Sequence, residues 1–208
     1  MFDIPWLLFI AASLAVIISP GQDLIMVMSR GLGQGSKEGV IAALGISIGL
    51  MGHTVLAALG LGAILTTSEL AFTILKYIGA AYLFYIGIKL ILSGGRHFET
   101  EDNNDKSIKR VFIEGTLCNI TNPKVTLFFF AFLPQFIPAN SENPTIGIFA
   151  MGLCYAFLTF ILKTPVGFFA GRLSNWFKQN PNFLNWIFKF SGLTLLGLGL
   201  RLALEERH

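Results

Sequence analysis

Charge is what this sequence has least of. Lys, Arg, Asp and Glu make up 13% of its 208 residues, against roughly a quarter in soluble domains. By contrast 53% are hydrophobic, and the mean hydropathy is +0.66. That balance excludes an ordinary soluble globule and indicates an integral membrane protein. Cysteine is nearly absent: Cys118 and Cys154 both lie inside apolar runs, which argues against a disulfide framework and suits small buried hydrophobes. Histidine is scarce as well. His53 is the only one in an apolar segment, and without a histidine pair at helical spacing or clustered carboxylates no metal site and no cofactor are expected. Gly31-Leu32-Gly33-Gln34-Gly35 matches part of a nucleotide-loop pattern, but no strand precedes it, so it is a turn between apolar segments and ATP-driven pumping by this chain alone is not expected. The N-terminus carries Asp3 and no Lys or Arg before its apolar run, with no A-x-A-like site, so no cleaved signal peptide is expected.

What is abundant is apolar sequence in long runs. Six segments stand out, at about 4–28, 39–65, 70–93, 111–137, 145–171 and 183–204, each long enough to cross a hydrocarbon core of roughly 30 Å at about 1.5 Å per helical residue. The net charge of +3 would suggest nucleic acid in a soluble chain. Here the basic residues fall between apolar spans, so they set orientation and no nucleic-acid partner is implied. Arg30 and Lys37 follow the first span, Arg96, Lys106, Lys109 and Arg110 the third, and Arg172 and Lys178 the fifth. Only Arg201 and Arg207 lie toward the C-terminus. The positive-inside bias then makes the odd-numbered connections cytoplasmic and puts both termini outside; a re-entrant broken segment would change that parity to five spans.

The third and sixth spans echo each other. Lys76-Tyr77-Ile78-Gly79 followed by Gly87-Ile88-Lys89-Leu90 recurs as Lys189-Phe190-Ser191-Gly192 and Gly199-Leu200-Arg201-Leu202, with the spacing slipped by one residue. Three spans is an odd number, so two such units would be inverted across the membrane. The expected fold is all-α: a polytopic membrane protein of six transmembrane helices in two inverted three-helix repeats, residues 1–93 and 111–208, joined by a cytoplasmic linker at 94–110. Lys76, Lys89, Lys189 and Arg201 read as snorkelling anchors at helix ends. Small residues at Gly45, Gly49 and Gly52, at Gly79, Ala80 and Gly87, and at Gly192, Gly197 and Gly199 permit close helix approach.

Two of these spans are broken where a purely structural helix would be smooth. Ser19-Pro20-Gly21-Gln22-Asp23 combines a missing backbone donor, a free backbone and an ionisable group deep in an apolar run, and Asn119-Ile120-Thr121-Asn122-Pro123-Lys124 repeats the theme in the fourth span. Such breaks persist in lipid only where they face protein or a water-filled cavity, and paired breaks point to a transporter site. The candidate substrate-binding residues are therefore Pro20, Gly21, Gln22, Asp23, Asn119, Asn122, Pro123 and Lys124. Asp23 and Lys124 are suited to the charged ends of a zwitterion, or to each other in the empty state. Asn119 and Asn122 fit either a helix cap or a polar substrate group. For proton coupling the candidates are Asp23, His53 and Lys163, although His53 suits a simple hydrogen bond and Lys163 suits snorkelling toward Arg172 equally. Tyr82 and Tyr85 either line a cavity or pack. No catalytic residues are assigned: an intramembrane enzyme needs a nucleophile beside a base, and His53 has Thr54 next to it but no further catalytic group.

At Pro20-Gly21-Gln22-Asp23, Ser29-Arg30-Gly31, Ala42 to Gly52, Gly79 to Ile91, and Asn122-Pro123-Lys124 through Pro134-Gln135-Phe136, the chain resembles the LysE/RhtB family of amino-acid exporters over essentially its whole length. The resemblance implies a secondary transporter that moves amino acids out of the bacterial cytoplasm by proton antiport, in the inner membrane. One departure is Gln22, where the family's first motif has a second proline. Members exporting basic amino acids resemble one another in a carboxylate six residues past the asparagine of the second motif; here that position is Phe128. This chain therefore looks like the branch handling homoserine, threonine and other neutral or weakly polar amino acids. The implied partners are an amino acid, protons and the lipid bilayer, with homo-oligomerisation left open. The rival is a passive channel, or an exporter of another small solute or metal ion.

Overall fold

Prolines and the short breaks around them set the helix boundaries. The computed structural model describes residues 4–67, 69–93, 107–138, 141–172 and 180–204, and among them every regular element is helical, with no strand. The elements are α1 (Trp6–Ile18), α2 (Gln22–Gln34), α3 (Ser36–Thr67), α4 (Glu69–Ser93), α5 (Ile108–Ile120), α6 (Pro123–Leu127), a π turn (Phe128–Phe132), a 3-10 turn (Leu133–Phe136), α7 (Pro144–Arg172) and α8 (Pro181–Leu204). Arg96 and Lys106 of the linker, Lys178, Arg207 and Asp3 lie outside the described residues.

α1 stops where Pro20 cannot donate, Ser19 N–H making the last bond back to Ala15 O at 3.2 Å. Gly21 is extended, α2 restarts at Gln22, and the two axes differ by 53°. At the second break Pro123 takes the first position of α6, where a missing N–H costs nothing. The run beyond it is not one helix, as its apolarity suggested. After five residues of α6 the ladder widens, Leu133 N–H reaching back five residues to Phe128 O. Pro134 has no N–H to continue it, and the Gln135 side chain gives Nε2 to the Ala131 carbonyl at 3.0 Å. The turn from α2 into α3 is made by Gly35, whose φ of +121° is a left-handed conformation that favours glycine.

Close backbone approach fixes the packing. On α3 and α7, Gly39 meets Gly167 and Thr54 meets Gly152, a reversed order that makes the helices antiparallel. A Cβ on Gly39 would lie 2.5 Å from the Gly167 carbonyl oxygen. α4 and α8 are antiparallel in the same way, with Gly87 against Gly192 and Gly199 against Ala80. α5 instead runs parallel to α3: Gly45 faces Phe112 and Thr116, and Gly49 faces Thr116 and Asn119. Within this frame Phe9, Phe128, Phe129, Phe132, Phe136 and Tyr155 form the aromatic heart of the core, Phe128 stacking on Tyr155 at 4.5 Å and Phe9 meeting Phe136 edge-on at 5.4 Å.

The outer faces carry large apolar side chains, among them Leu56, Leu59, Phe157, Trp186 and Phe190, as a lipid-facing surface requires. Among the described residues, Ser36–Gly60 and Pro144–Ala170 can cross a membrane by length and composition, and α1 with α2 makes a third candidate if the bent pair is one span. α5 and α6 have 13 and 5 residues, each too short for about 30 Å alone, so the fourth apolar segment of the sequence is not one continuous helix.

Candidate functional site

The two breaks come together around Asp23. It sits in the first turn of α2, where unpaired backbone N–H groups favour a carboxylate, and it is buried. Its Oδ1 accepts from Asn122 Nδ2 at 2.8 Å, and its Oδ2 accepts from Asn119 Nδ2 at 2.9 Å and from Lys163 Nζ at 3.1 Å. One carboxylate thereby joins α2, the end of α5, the second break and α7. Lys163 is 5% exposed, so this ion pair lies in a low-dielectric setting where neither charge has water to fall back on.

Asn122 does two jobs. Its Oδ1 caps α6 by accepting from Lys124 N at 3.0 Å, while its amide nitrogen holds Asp23. Asn119 caps nothing with its side chain; its carbonyl oxygen accepts from Asn122 N at 2.9 Å and faces His53 Nε2 at 3.1 Å. A carbonyl can only accept, so Nε2 carries the proton, and Nδ1 finds no partner in the protein. His53 also lies 5.7 Å from the Phe129 ring, centroid to centroid. It connects to Asp23 through Asn119 and not directly.

Lys124 is not the cation on Asp23. Its Nζ donates to Val16 O at 3.0 Å and to Ser19 O at 2.8 Å, capping the last turn of α1 and satisfying carbonyls that the break leaves free. Gly21 makes room for it: a Cβ there would stand 3.2 Å from Lys124 Nζ. Each break thus holds the other, α1 through Lys124 and α2 through Asn122.

Of the remaining sequence candidates, Pro20 is buried at the break, whereas the Pro123 ring and Gln22 are exposed. Gln22 opens α2 one residue ahead of Asp23, so its side chain points about 100° away from the carboxylate's and stands apart from the cluster. Tyr82 and Tyr85 contact each other, ring centroids 6.1 Å apart, with Tyr85 largely exposed. Sequence reasoning missed one buried charge. Arg30 does not lie in a solvated connection; it is buried in α2 and donates from Nη2 to Glu114 Oε2 of α5 at 2.8 Å. The sign that could have found it is the seven-residue spacing from Asp23 to Arg30, two turns along one face, together with Glu114 in an apolar run.

The cluster presents a carboxylate, an ammonium and two side-chain amides from four chain segments, all buried, which is the complement of a small molecule bearing both charges. The LysE type translocator family matches residues 14–206. An uncharacterised membrane protein of Bacillus subtilis is 35% identical over 211 aligned positions, covering 96% of this chain and 98% of the relative. The homoserine/homoserine lactone efflux protein of Salmonella typhimurium is 30% identical over 98% of this chain and 97% of its own. The leucine efflux protein of Klebsiella pneumoniae is 25% identical over 95% and 94%. No solved structure matches. With a family match over nearly its whole length and relatives that are membrane and efflux proteins of the same size, this chain belongs to the LysE type translocator family.

Proposed function

We propose that this protein is a secondary transporter that exports neutral or weakly polar amino acids from the bacterial cytoplasm in exchange for protons. The observation that carries the reading is the Asp23–Lys163 pair, 3.1 Å apart and buried between two helix breaks. An amino acid can take it over without leaving a buried charge alone, its ammonium replacing Lys163 on Asp23 and its carboxylate replacing Asp23 on Lys163. A proton can also open it, because a protonated Asp23 no longer attracts Lys163. The relatives named for homoserine and leucine efflux support uncharged side chains. So does Phe128, which faces Tyr155 where a cationic side chain would want a carboxylate. Binding roles for Asp23, Asn119 and Asn122 and coupling roles for Asp23 and Lys163 follow, with His53 acting through Asn119.

The same reading takes the chain as two inverted three-span repeats, 1–93 and 111–208, in the inner membrane with both termini outside. Its support is the pairing of like elements: α3 crosses α7 antiparallel at Gly39 and Gly167, α4 crosses α8 at Gly87 and Gly192, and each broken helix supplies one side of the Asp23 cluster. The test is export of labelled homoserine and leucine from proteoliposomes with and without an imposed pH gradient. Saturable export that accelerates with the gradient is expected. A non-saturating flux indifferent to the gradient would replace the reading with a channel.

A further inference from the structure

The helical hydroxyls of this protein mostly bond back to their own helix. Ser47 donates to Ala43 O at 2.9 Å, Thr54 to Leu50 O at 2.8 Å, Thr116 to Phe112 O at 3.0 Å and Thr194 to Phe190 O at 3.0 Å. Thr159 does not. It is 1% exposed and its Oγ1 has no partner in the protein, although the carbonyl one turn back offers the same bond its counterparts take. A buried hydroxyl left this way is destabilising unless something else engages it.

The position of Thr159 says what that is. Tyr155, Thr159 and Lys163 recur every four residues and so share one face of α7. One of the outer two is in the site and the other in the aromatic core: Lys163 Nζ holds Asp23 at 3.1 Å, and the Tyr155 ring stacks on Phe128 at 4.5 Å. Along the helix Thr159 stands four residues, about 6 Å of rise, from the position that carries the ammonium on one side and the aromatic ring on the other. Ser13, Ser19 and Thr164 also have unpartnered hydroxyl oxygens, but none is bracketed in this way, Thr164 being turned about 100° from Lys163 around the helix.

Resting on the amino-acid reading of the Asp23–Lys163 pair, we propose that the Thr159 hydroxyl is the contact that reads the substrate's side chain, and that it selects amino acids with a short hydroxylated side chain. With the substrate carboxylate on Lys163, a side chain of two carbons and a hydroxyl running along α7 covers about one turn and brings its oxygen to Thr159, with the Phe128–Tyr155 stack as the next layer along the helix. Thr159 can donate to that oxygen or accept from it. A methyl in the same place would leave Thr159 unpaired, which is the strong form of discrimination against an analogue lacking a hydroxyl.

The test compares binding of L-homoserine and L-norvaline, its analogue with methyl in place of hydroxyl, to the purified full-length protein by ligand-induced thermal shift and calorimetry. Wild type is expected to prefer homoserine by at least about tenfold, Thr159→Ser to keep the preference, and Thr159→Val to bring the two within about twofold. Thr159→Ala repeats the loss if the valine variant folds poorly. Equal binding in wild type, or a preference that survives in Thr159→Val and Thr159→Ala, overturns the inference. Leucine export from wild-type proteoliposomes separates the two levels. Leucine export with no homoserine preference sinks the role of Thr159 alone; no export and no binding of any amino acid sinks the wider reading and this inference with it.

Discussion

At the scale of single residues, the site is a matter of which cation reaches which acceptor. Asp23→Asn keeps the shape but turns an ion pair into an amide facing two other amides, and it strands Lys163 in the interior. Lys163→Met strands Asp23 instead. Each single change is expected to lower stability by roughly 3–5 kcal/mol and to abolish export. The double variant should recover most of the stability and none of the export, since the charges are needed for the substrate and not for the fold. Thermal unfolding of the purified proteins and transport in proteoliposomes supply the two readouts; normal export by Asp23→Asn would end the assignment. The sequence marked Asp23, Asn119, Asn122, Lys124 and Lys163 as exceptional because each is polar within an apolar run. It did not say which lysine meets the carboxylate. Lys124 stands at the same depth past a matching break and looked the better partner, but the break exposes the carbonyls of Val16 and Ser19, and those bonds take its ammonium. Only the packing of α7 against α2 brings Lys163 to Asp23, and nothing local encodes that contact.

At the scale of elements, glycine positions divide into those that set helix spacing and those that do not. A Cβ on Gly167 would lie 2.5 Å from the Gly39 backbone carbon, whereas a Cβ on Gly60 of α3 would meet nothing within 4 Å. Gly167→Val should therefore push α3 and α7 apart and destabilise by roughly 1–3 kcal/mol or more, lowering export because Lys163 sits one turn away on the same helix. Gly60→Ala should raise stability by about 0.5–1 kcal/mol through reduced backbone freedom and leave export alone. Parallel thermal scans of both variants decide the matter, and equal effects would remove the distinction. Element limits were largely legible: the apolar segments coincide with α3, α4, α7 and α8 to within a few residues, and both breaks fall at the prolines. The π turn was not. Phe128 to Phe132 reads as uninterrupted helix, and its widening depends on how Pro134 and Gln135 share out the carbonyls behind them.

At the scale of the whole molecule, the remaining question is which way the chain sits. With Arg30 withdrawn into its ion pair with Glu114, the basic residues of the odd-numbered connections still outnumber those on the other side, and the positive-inside bias keeps its direction. A phosphatase fused at the C-terminus is expected to be active, and a reporter that works only in the cytoplasm to stay dark. The opposite pattern would mean that one broken helix re-enters the membrane instead of crossing it. α3 and α7 meet at Gly39 with Gly167 and at Thr54 with Gly152, about 22 Å apart along either helix at 1.5 Å per residue, and the two helices pack along much of their length. A rod clamped to its neighbour over such a span neither tilts nor rolls alone. Lys163 lies between the two meeting points, so its backbone is a fixed mount, and the ammonium leaves Asp23 by a swing of the side chain, as a crane arm turns on a tower that stands still.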